Sequence, residues 1–280
     1  MKGRVIGIFS APGGVGKTTL AASLGWLLRE SGKRVLLVDM DPSISLSWLL
    51  VKDDFELMNY EDKGKTLTRI LHLIFEERRP VDLRDFLVSR PYPSSKDLEL
   101  DLIMPDLRLT NIMDTLWVSR ARREIILRRV LDELDVRRKY DVTIIDTIPF
   151  FDRKYSVLVS YAVDKIIIPL RPTIIDVYRT QTMLKELPQA TAMEEDELYS
   201  RIGLVFNMVR SKKQAEFIDT YVSLLRSKIY SRLKTFSSHI PYYIAFSRVG
   251  TEEEQQGDRE KVRSTLKGLF EEVSEWVFSR

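Results

Sequence analysis

Six short apolar runs recur along the chain, at Arg4–Phe9, Val35–Asp39, Leu100–Met104, Val142–Asp146, Lys165–Pro169 and Ile202–Asn207. Most are unbroken in Val, Ile and Leu, the pattern of parallel strands covered on both faces. Between the runs, apolar residues return every three or four positions, which predicts helices over about 17–31, 66–77, 116–138, 174–187, 212–235 and 259–278. Arg90–Lys96, RPYPSSK, reads as a surface loop. Strand and helix alternate over the whole length with no repeat and no linker. The expectation is an α/β fold, a single domain over residues 1–280 with a mostly parallel sheet and helices on both faces.

Composition removes several function classes. The chain has 280 residues, 44% hydrophobic and 30% charged, with a formal net charge of +3. That balance excludes a disordered chain. The absence of cysteine excludes a disulfide scaffold and a Cys–His zinc site, and two histidines are too few for a His-rich site. No apolar run is long enough to span a bilayer, and the stretch Val5–Phe9 is too short for a secretory leader, so a cytoplasmic protein is expected. Three Asn and five Gln in a highly charged chain fit a thermophile.

The chemistry begins after the first strand. Residues 11–18 read APGGVGKT, between the strand VIGIF and the apolar segment LAASLGWLL. This fits a phosphate-binding loop with a relaxed first position. Glycines let successive N–H groups converge on one anion, and the next helix adds its positive end. Lys17 would reach the β- and γ-phosphates, and the Thr18 hydroxyl would ligate Mg2+. YDVTIIDT ends a strand in Asp146, as a Walker B carboxylate should. LLVDMDPS places Asp39 and Asp41 at another strand end. One of these can orient an attacking water, or both serve the turn that Pro42 enforces.

The ordered set GGVGKTT at 13–19, GKRVLLVDMDP at 32–42, DLIMPDLRL at 101–109, YDVTIIDT at 140–147, VDKIIIPLRP at 163–172, IGLVFNMV at 202–209 and HIPYYIAFS at 239–247 resembles the ParA/MinD family of deviant Walker A ATPases, in particular the short, Soj-like partition ATPases. The resemblance covers nearly the whole chain. It implies that Gly13, Gly14, Val15, Gly16, Lys17, Thr18 and Thr19 bind phosphate, with Thr18 and Asp146 at the magnesium. It implies that Lys17, Asp41 and Asp146 serve catalysis, with Asp41 positioning the water. Asn207 would read the adenine edge, where a carboxamide can both donate and accept, or be satisfied by backbone instead. Pro241 would pack beside the base. The implied cofactors are ATP and Mg2+; the implied partners are a second copy in the ATP state, non-specific DNA and a ParB-like adaptor. One departure stands out: the family's signature lysine precedes the paired glycines, where this chain has Pro12, which carries no charge and no donor. Slow turnover and a weaker or differently built dimer follow. Arg153 and Lys154 are candidate replacement cations.

From Arg201 to Arg248 the chain carries nine bases against two acids. Arg210, Lys212, Lys213, Arg226, Lys228, Arg232 and Lys234 are thereby candidate contacts to DNA phosphates, which implies a nucleoid-associated location. The cluster from Arg120 to Lys139 is interleaved with acids and reads as helix-surface pairing. The last helix has an apolar face opposite Glu271, Glu272 and Glu275; a membrane helix would carry bases there, so packing on the sheet is expected. The first strand starts at the terminus, so no helix-turn-helix extension for operator binding is expected. The competing function is a nucleotide-gated scaffold or MinD-like regulator that binds a protein or membrane and hydrolyses little.

Overall fold

The computed structural model describes the chain apart from residues 1, 52, 93–94, 120–121, 151, 226–231, 249–252 and 280. Among the described residues one sheet contains β1 Arg4–Ile8, β2 Val35–Asp39, β3 Val88–Tyr92, β4 Ser95–Ile103, β5 Val142–Asp146, β6 Lys165–Leu170, β7 Ile202–Phe206 and β8 Lys234–Thr235. Their spatial order is β3-β4-β2-β5-β1-β6-β7-β8. All pairings are parallel except the β3–β4 hairpin at one edge. The helices are α1 Lys17–Glu30, α2 Ser45–Val51, α3 Asp54–Asp62, α4 Leu67–His72, α5 Leu109–Ser119, α6 Ile126–Glu133, α7 Val136–Lys139, α8 Arg153–Ala162, α9 Ile174–Thr191, α10 Glu195–Ser200, α11 Lys212–Glu216, α12 Ile218–Leu225, α13 Ala245–Arg248 and α14 Asp258–Phe278.

The unbroken apolar strands work because successive side chains serve opposite faces. Val5, Leu36, Val38 and Ile145 join a core with α4, α5, α6, α8 and α9. Their neighbours Ile6, Leu37 and Ile144 join a second core with α1 and α14. The apolar face of α14 is thus spent on the sheet, with Val262, Leu266, Leu269, Val273 and Val277 buried. From β1 the chain builds the β2 half of the sheet, returns to β1 through β5, then crosses to β6 on the other side. The carboxyl ends of β1, β5 and β6 therefore bound the crevice where ligands enter open α/β sheets.

The structure departs from the sequence reading in instructive places. Arg90–Lys96 belongs to the β3–β4 hairpin, with Tyr92 paired to Ser95 and only residues 93–94 between them, outside the described residues. Pro91 is tolerated because β3 is an edge strand. The helix expected over 116–138 is broken: α5 ends at Ser119, a 3-10 turn spans Arg123–Ile125, and Asp135 adopts a left-handed φ of 53° between α6 and α7. The segment 212–235 splits into α11, α12 and β8, with 226–231 outside the described residues. The α9 helix runs on past Pro188. Proline removes the N–H that would meet the Leu184 carbonyl, and the Tyr199 hydroxyl donates to that oxygen instead at 3.0 Å. The unforeseen helices α3 and α8 start at caps readable in the sequence: Asp53 accepts from Glu56 N, and Asp152 from Lys154 N.

Candidate functional site

β1 delivers the loop 11–16 to the crevice, and α1 begins at Lys17 with no side-chain cap. Its first-turn N–H groups are therefore left for an anion. Gly14 and Gly16 have φ of 66° and 85°. At Gly16 glycine is required twice, because a Cβ would also lie 2.5 Å from Asn207 Nδ2. Pro12 and Val15 are buried, Gly13 and Gly14 exposed. The Ser10 hydroxyl donates to the Pro12 carbonyl at 2.6 Å, which ties the loop to the end of the first strand.

Two carboxylates stand side by side at the strand ends. Asp39 of β2 and Asp146 of β5 are register partners, both fully buried. Their environments differ. Asp39 accepts from Ser47 N at 2.9 Å, Ser47 Oγ at 2.7 Å and Asp41 N at 3.0 Å. Burial nevertheless pushes its carboxyl up to about 6. Asp146 Oδ2 accepts from Thr18 Oγ1 at 2.7 Å, while Oδ1 is buried with no partner among the described residues. Burial, and then the charge of Asp39, push Asp146 up to about 7. Lys17 is buried beside them; burial lowers its pKa, against the pull of Asp146 and Asp41. Asp41 is half-buried, and its Oδ1 accepts from Ser43 N. Of the two carboxylates whose roles the sequence left open, Asp39 is committed to anchoring α2, and Asp41 is half-buried and near enough to Lys17 to act on its charge.

This donor set fits magnesium. A hydroxyl and a buried, half-satisfied carboxylate suit a cation that keeps waters and takes further oxygens from a phosphate. Among the described residues no group of three His, Asp or Glu side chains forms an all-protein metal cage.

Beyond Thr19, a largely apolar pocket with a cavity volume of about 110 Å³ continues the crevice between Leu20, Asn207, Ile240, Pro241, Tyr243 and Phe246. Asn207 Nδ2 donates to Val15 O at 2.7 Å, and its Oδ1 accepts from Met208 N at 2.8 Å. The carboxamide is thus tied to backbone and also lines the pocket, with one N–H and one lone pair remaining. Met208 adopts a left-handed φ of 59° at this corner. Pro241 bridges to Val209, which seats it on the pocket rim. Sequence reasoning missed Tyr242, Tyr243 and Phe246 as lining residues; an aromatic pair directly after the proline was the available signal.

A family model described as an AAA domain matches residues 3–199. Sporulation initiation inhibitor protein Soj of Bacillus subtilis is 29% identical over 171 residues, 60% of this chain and 58% of that protein. The chain belongs to the ParA/MinD family of P-loop ATPases. Maintenance of carboxysome distribution protein A of Synechococcus elongatus is 32% identical over 189 residues, covering 66% of each. An uncharacterised protein of Methanocaldococcus jannaschii is 26% identical over 287 residues, covering 98% of this chain and 97% of that one. The fold matches apo McdA of Cyanothece (TM-score 0.73, 23% identity, 98% of both chains) and pNOB8 ParA (0.73, 21%, 98% of both). It equally matches cobyrinic acid a,c-diamide synthase of Mycobacterium smegmatis, solved with an ATP analogue and magnesium (0.71, 22%, 99% and 97%).

The remaining candidates of this ParA/MinD-family chain are not one patch. Arg210, Lys212 and Lys213 are exposed beyond the carboxyl end of β7, with the Arg210 guanidinium 4.7 Å from the Tyr242 ring centre. Lys234 pairs with Gly203 at the amino end of β7. Arg232 lies beside it in sequence and meets Asp196 at 3.1 Å. The length of β7, about 15 Å, separates the two groups. A charge run continuous in sequence is thus divided between opposite ends of the sheet. Arg226 and Lys228 lie outside the described residues. Of the Arg120–Lys139 cluster, Arg122 pairs with Glu124, Arg128 with Asp132, Arg137 with Asp164 and Arg138 with Asp135, while Arg123 and Arg129 lie over the rings of Trp117 and Phe75. Arg153 meets Glu186, and Lys154 meets Asp114 and Asp152. No helix among the described residues is long and apolar enough to cross a membrane.

Proposed function

We propose that the chain, as one domain over 1–280, is an ATP-dependent partition or positioning ATPase. It binds Mg-ATP in the crevice, pairs with a second copy in that state, and coats DNA without reading sequence. A ParB-like adaptor then releases it. The observation that carries this reading is the orphaned Asp146 Oδ1, buried next to Thr18 at the mouth of a glycine loop and an apolar pocket. Thr18 and Asp146 would hold magnesium, whose chemistry is to neutralise charge on the transferred phosphoryl. Gly13 to Thr19 cradle the phosphates, Lys17 pairs with their charge, and Asp41 orients the water from the half-buried edge. Asn207 and Pro241 border the base. Arg210, Lys212 and Lys213 supply the described part of the DNA surface, in a cytoplasmic, nucleoid-associated protein.

A second reading is favoured by Pro12: a nucleotide-gated scaffold with little hydrolysis. The deciding experiment is DNA retention with and without ATP at two salt concentrations. ATP-dependent retention that falls steeply with salt supports the partition reading. Nucleotide binding without retention selects the scaffold. Equal ATP affinity of wild type and Lys17→Ala by calorimetry overturns both.

A further inference from the structure

The apolar end of the crevice is walled by a segment with little regular structure of its own. Tyr242, Tyr243 and Ile244, between the Val209–Pro241 bridge and α13, belong to no helix or strand, yet Tyr242, Tyr243 and Phe246 line the pocket. Such a wall keeps its place only through what it is fastened to. At one end Tyr242 N donates to Val209 O at 2.9 Å, just past the carboxyl end of β7. At the other end the fastening is a charge pair. Arg248, the last residue of α13, donates from Nε to Asp258 Oδ2 at 3.0 Å and from Nη2 to Oδ1 at 2.9 Å. Their side chains are 18% and 7% exposed. Asp258 opens α14 and also accepts from Gln255 N at 2.9 Å. One turn on, the Lys261 ammonium lies 4.3 Å from the Tyr243 ring centre. The α14 helix is braced in turn against the phosphate side: Arg263 Nε donates at 3.0 Å to Glu30, the last residue of α1, whose first turn offers its N–H groups to an anion.

We infer that Arg248 and Asp258 are positioning residues for the nucleotide base: their pair fixes the wall that carries Tyr243 and Phe246, and so sets how tightly and how selectively the base is held. The inference deepens the nucleotide half of the proposed function and rests on it. Phe246 and Arg248 share the single turn of α13, so the ring cannot shift without the guanidinium. A bidentate pair fixes orientation as well as distance. Neither Arg248 nor Asp258 is among the residues lining the pocket, so the pair acts on the base through the wall it holds and not by contact. A pocket discriminates by shape only where its walls are fixed by supporting contacts. Removing one partner leaves the other charge buried and unpaired. The relief open to the chain is for α13 to move toward water, and that movement opens the wall while the loop from Gly13 to Thr19 stays as it is.

Calorimetry of the full chain with Mg-ATP and with magnesium tripolyphosphate, which has the phosphates and no base, separates the two ends of the crevice. Wild type is expected to bind ATP more tightly than tripolyphosphate, and ATP more tightly than GTP. Arg248→Ala and Asp258→Asn are each expected to weaken ATP about tenfold, and to bring the ATP-to-GTP ratio toward one. Both should bind tripolyphosphate within about twofold of wild type, which also shows that they are folded. The double variant should be little worse than either single one, since each change breaks the same pair. Arg248→Lys keeps the charge without the fork and should lie between wild type and Arg248→Ala. Three results overturn the inference: unchanged ATP affinity in both single variants, equal weakening of ATP and tripolyphosphate (the mark of a merely structural pair), or additive losses in the double variant. Wild type that binds ATP and tripolyphosphate equally overturns it and leaves the phosphate loop standing. Wild type that binds neither refutes the nucleotide reading itself, and this inference with it.

Discussion

Asp146→Asn should make the ligand-free protein more stable and its function worse. The carboxyl sits fully buried beside buried Asp39 and is pushed from 3.8 to about 7. A native pKa above the unfolded one means the folded state holds a proton the unfolded chain has shed. Stability therefore falls as pH rises from 3.8 through about 7 and is flat above that. A rise of this size corresponds to an upper bound of about 4 kcal/mol. Asparagine keeps the shape, and its oxygen can still accept from Thr18 Oγ1, but its NH2 takes the place of the unpartnered Oδ1 and retains a desolvation cost of about 1–3 kcal/mol. A net gain of about 2 kcal/mol at pH 8 remains, or roughly 4–8 °C in Tm for a chain of this size. At pH 5 less than half of it survives, because there the native carboxyl is already protonated. Thermal melts of both proteins at pH 5 and 8 without nucleotide, with calorimetry of ATP with and without Mg2+, measure both sides. A variant less stable than wild type at pH 8, or a gain equal at both pH values, would refute the reasoning; so would full Mg-dependent ATP affinity.

Gly16→Ala should abolish ATP binding and lower Tm, since the left-handed φ costs about 1–2 kcal/mol and the new methyl must displace Asn207; wild-type calorimetry from this variant would contradict it. Tyr199→Phe should cost about 1 kcal/mol by orphaning the Leu184 carbonyl. It should cost less in a Pro188→Ala background, where the restored N–H can reach that oxygen, and a double-mutant cycle of melts reads the coupling. Pro12→Lys should raise ATP turnover and tighten the ATP-dependent dimer in light scattering, and unchanged values would show that the missing cation is immaterial. Arg153→Ala should lower the residual turnover of the wild type more than Lys154→Ala does, measured as steady-state phosphate release.

What the sequence revealed followed the range of each signal. Unbroken apolar strands and the spacing of Gly16, Lys17 and Thr18 are local: β1, β2, β5, β6 and β7 lie within a residue of the expected runs, while β4 begins at Ser95, five residues before the run at Leu100. β3 was hidden because Pro91 suits an edge strand as well as a loop, and β8 because two residues carry no period. The break at Asp135 needs a backbone angle that no apolar pattern encodes. At the site, the adjacency of Asp39 and Asp146 comes from β2 lying beside β5, a matter of strand order. The contact of Asn207 with Val15 joins residues from opposite ends of the chain. The described part of the basic run divides in space for the same reason: β7 lies between Arg210–Lys213 and Arg232–Lys234, and residue spacing along a chain says nothing about which end of a strand a charge occupies.

Strand order also bears on Pro12. The position is buried, its carbonyl is held by Ser10, and proline there offers neither charge nor donor. Any cation acting across a dimer must come from elsewhere, at the cost of its present partner. Arg171 is bound by three hydrogen bonds to Asp176, which is 1% exposed; releasing it would strand a buried carboxylate. Lys154 is mostly buried between Asp114 and Asp152, the cap of α8, so moving it loosens that helix start. Arg153 meets Glu186 with its side chain 64% exposed. An exposed pair is worth about 0–1 kcal/mol, so Arg153 is the cation that can leave most cheaply. It is also on the first turn of the helix that follows the Asp146 strand, where a change in that carboxylate is felt first.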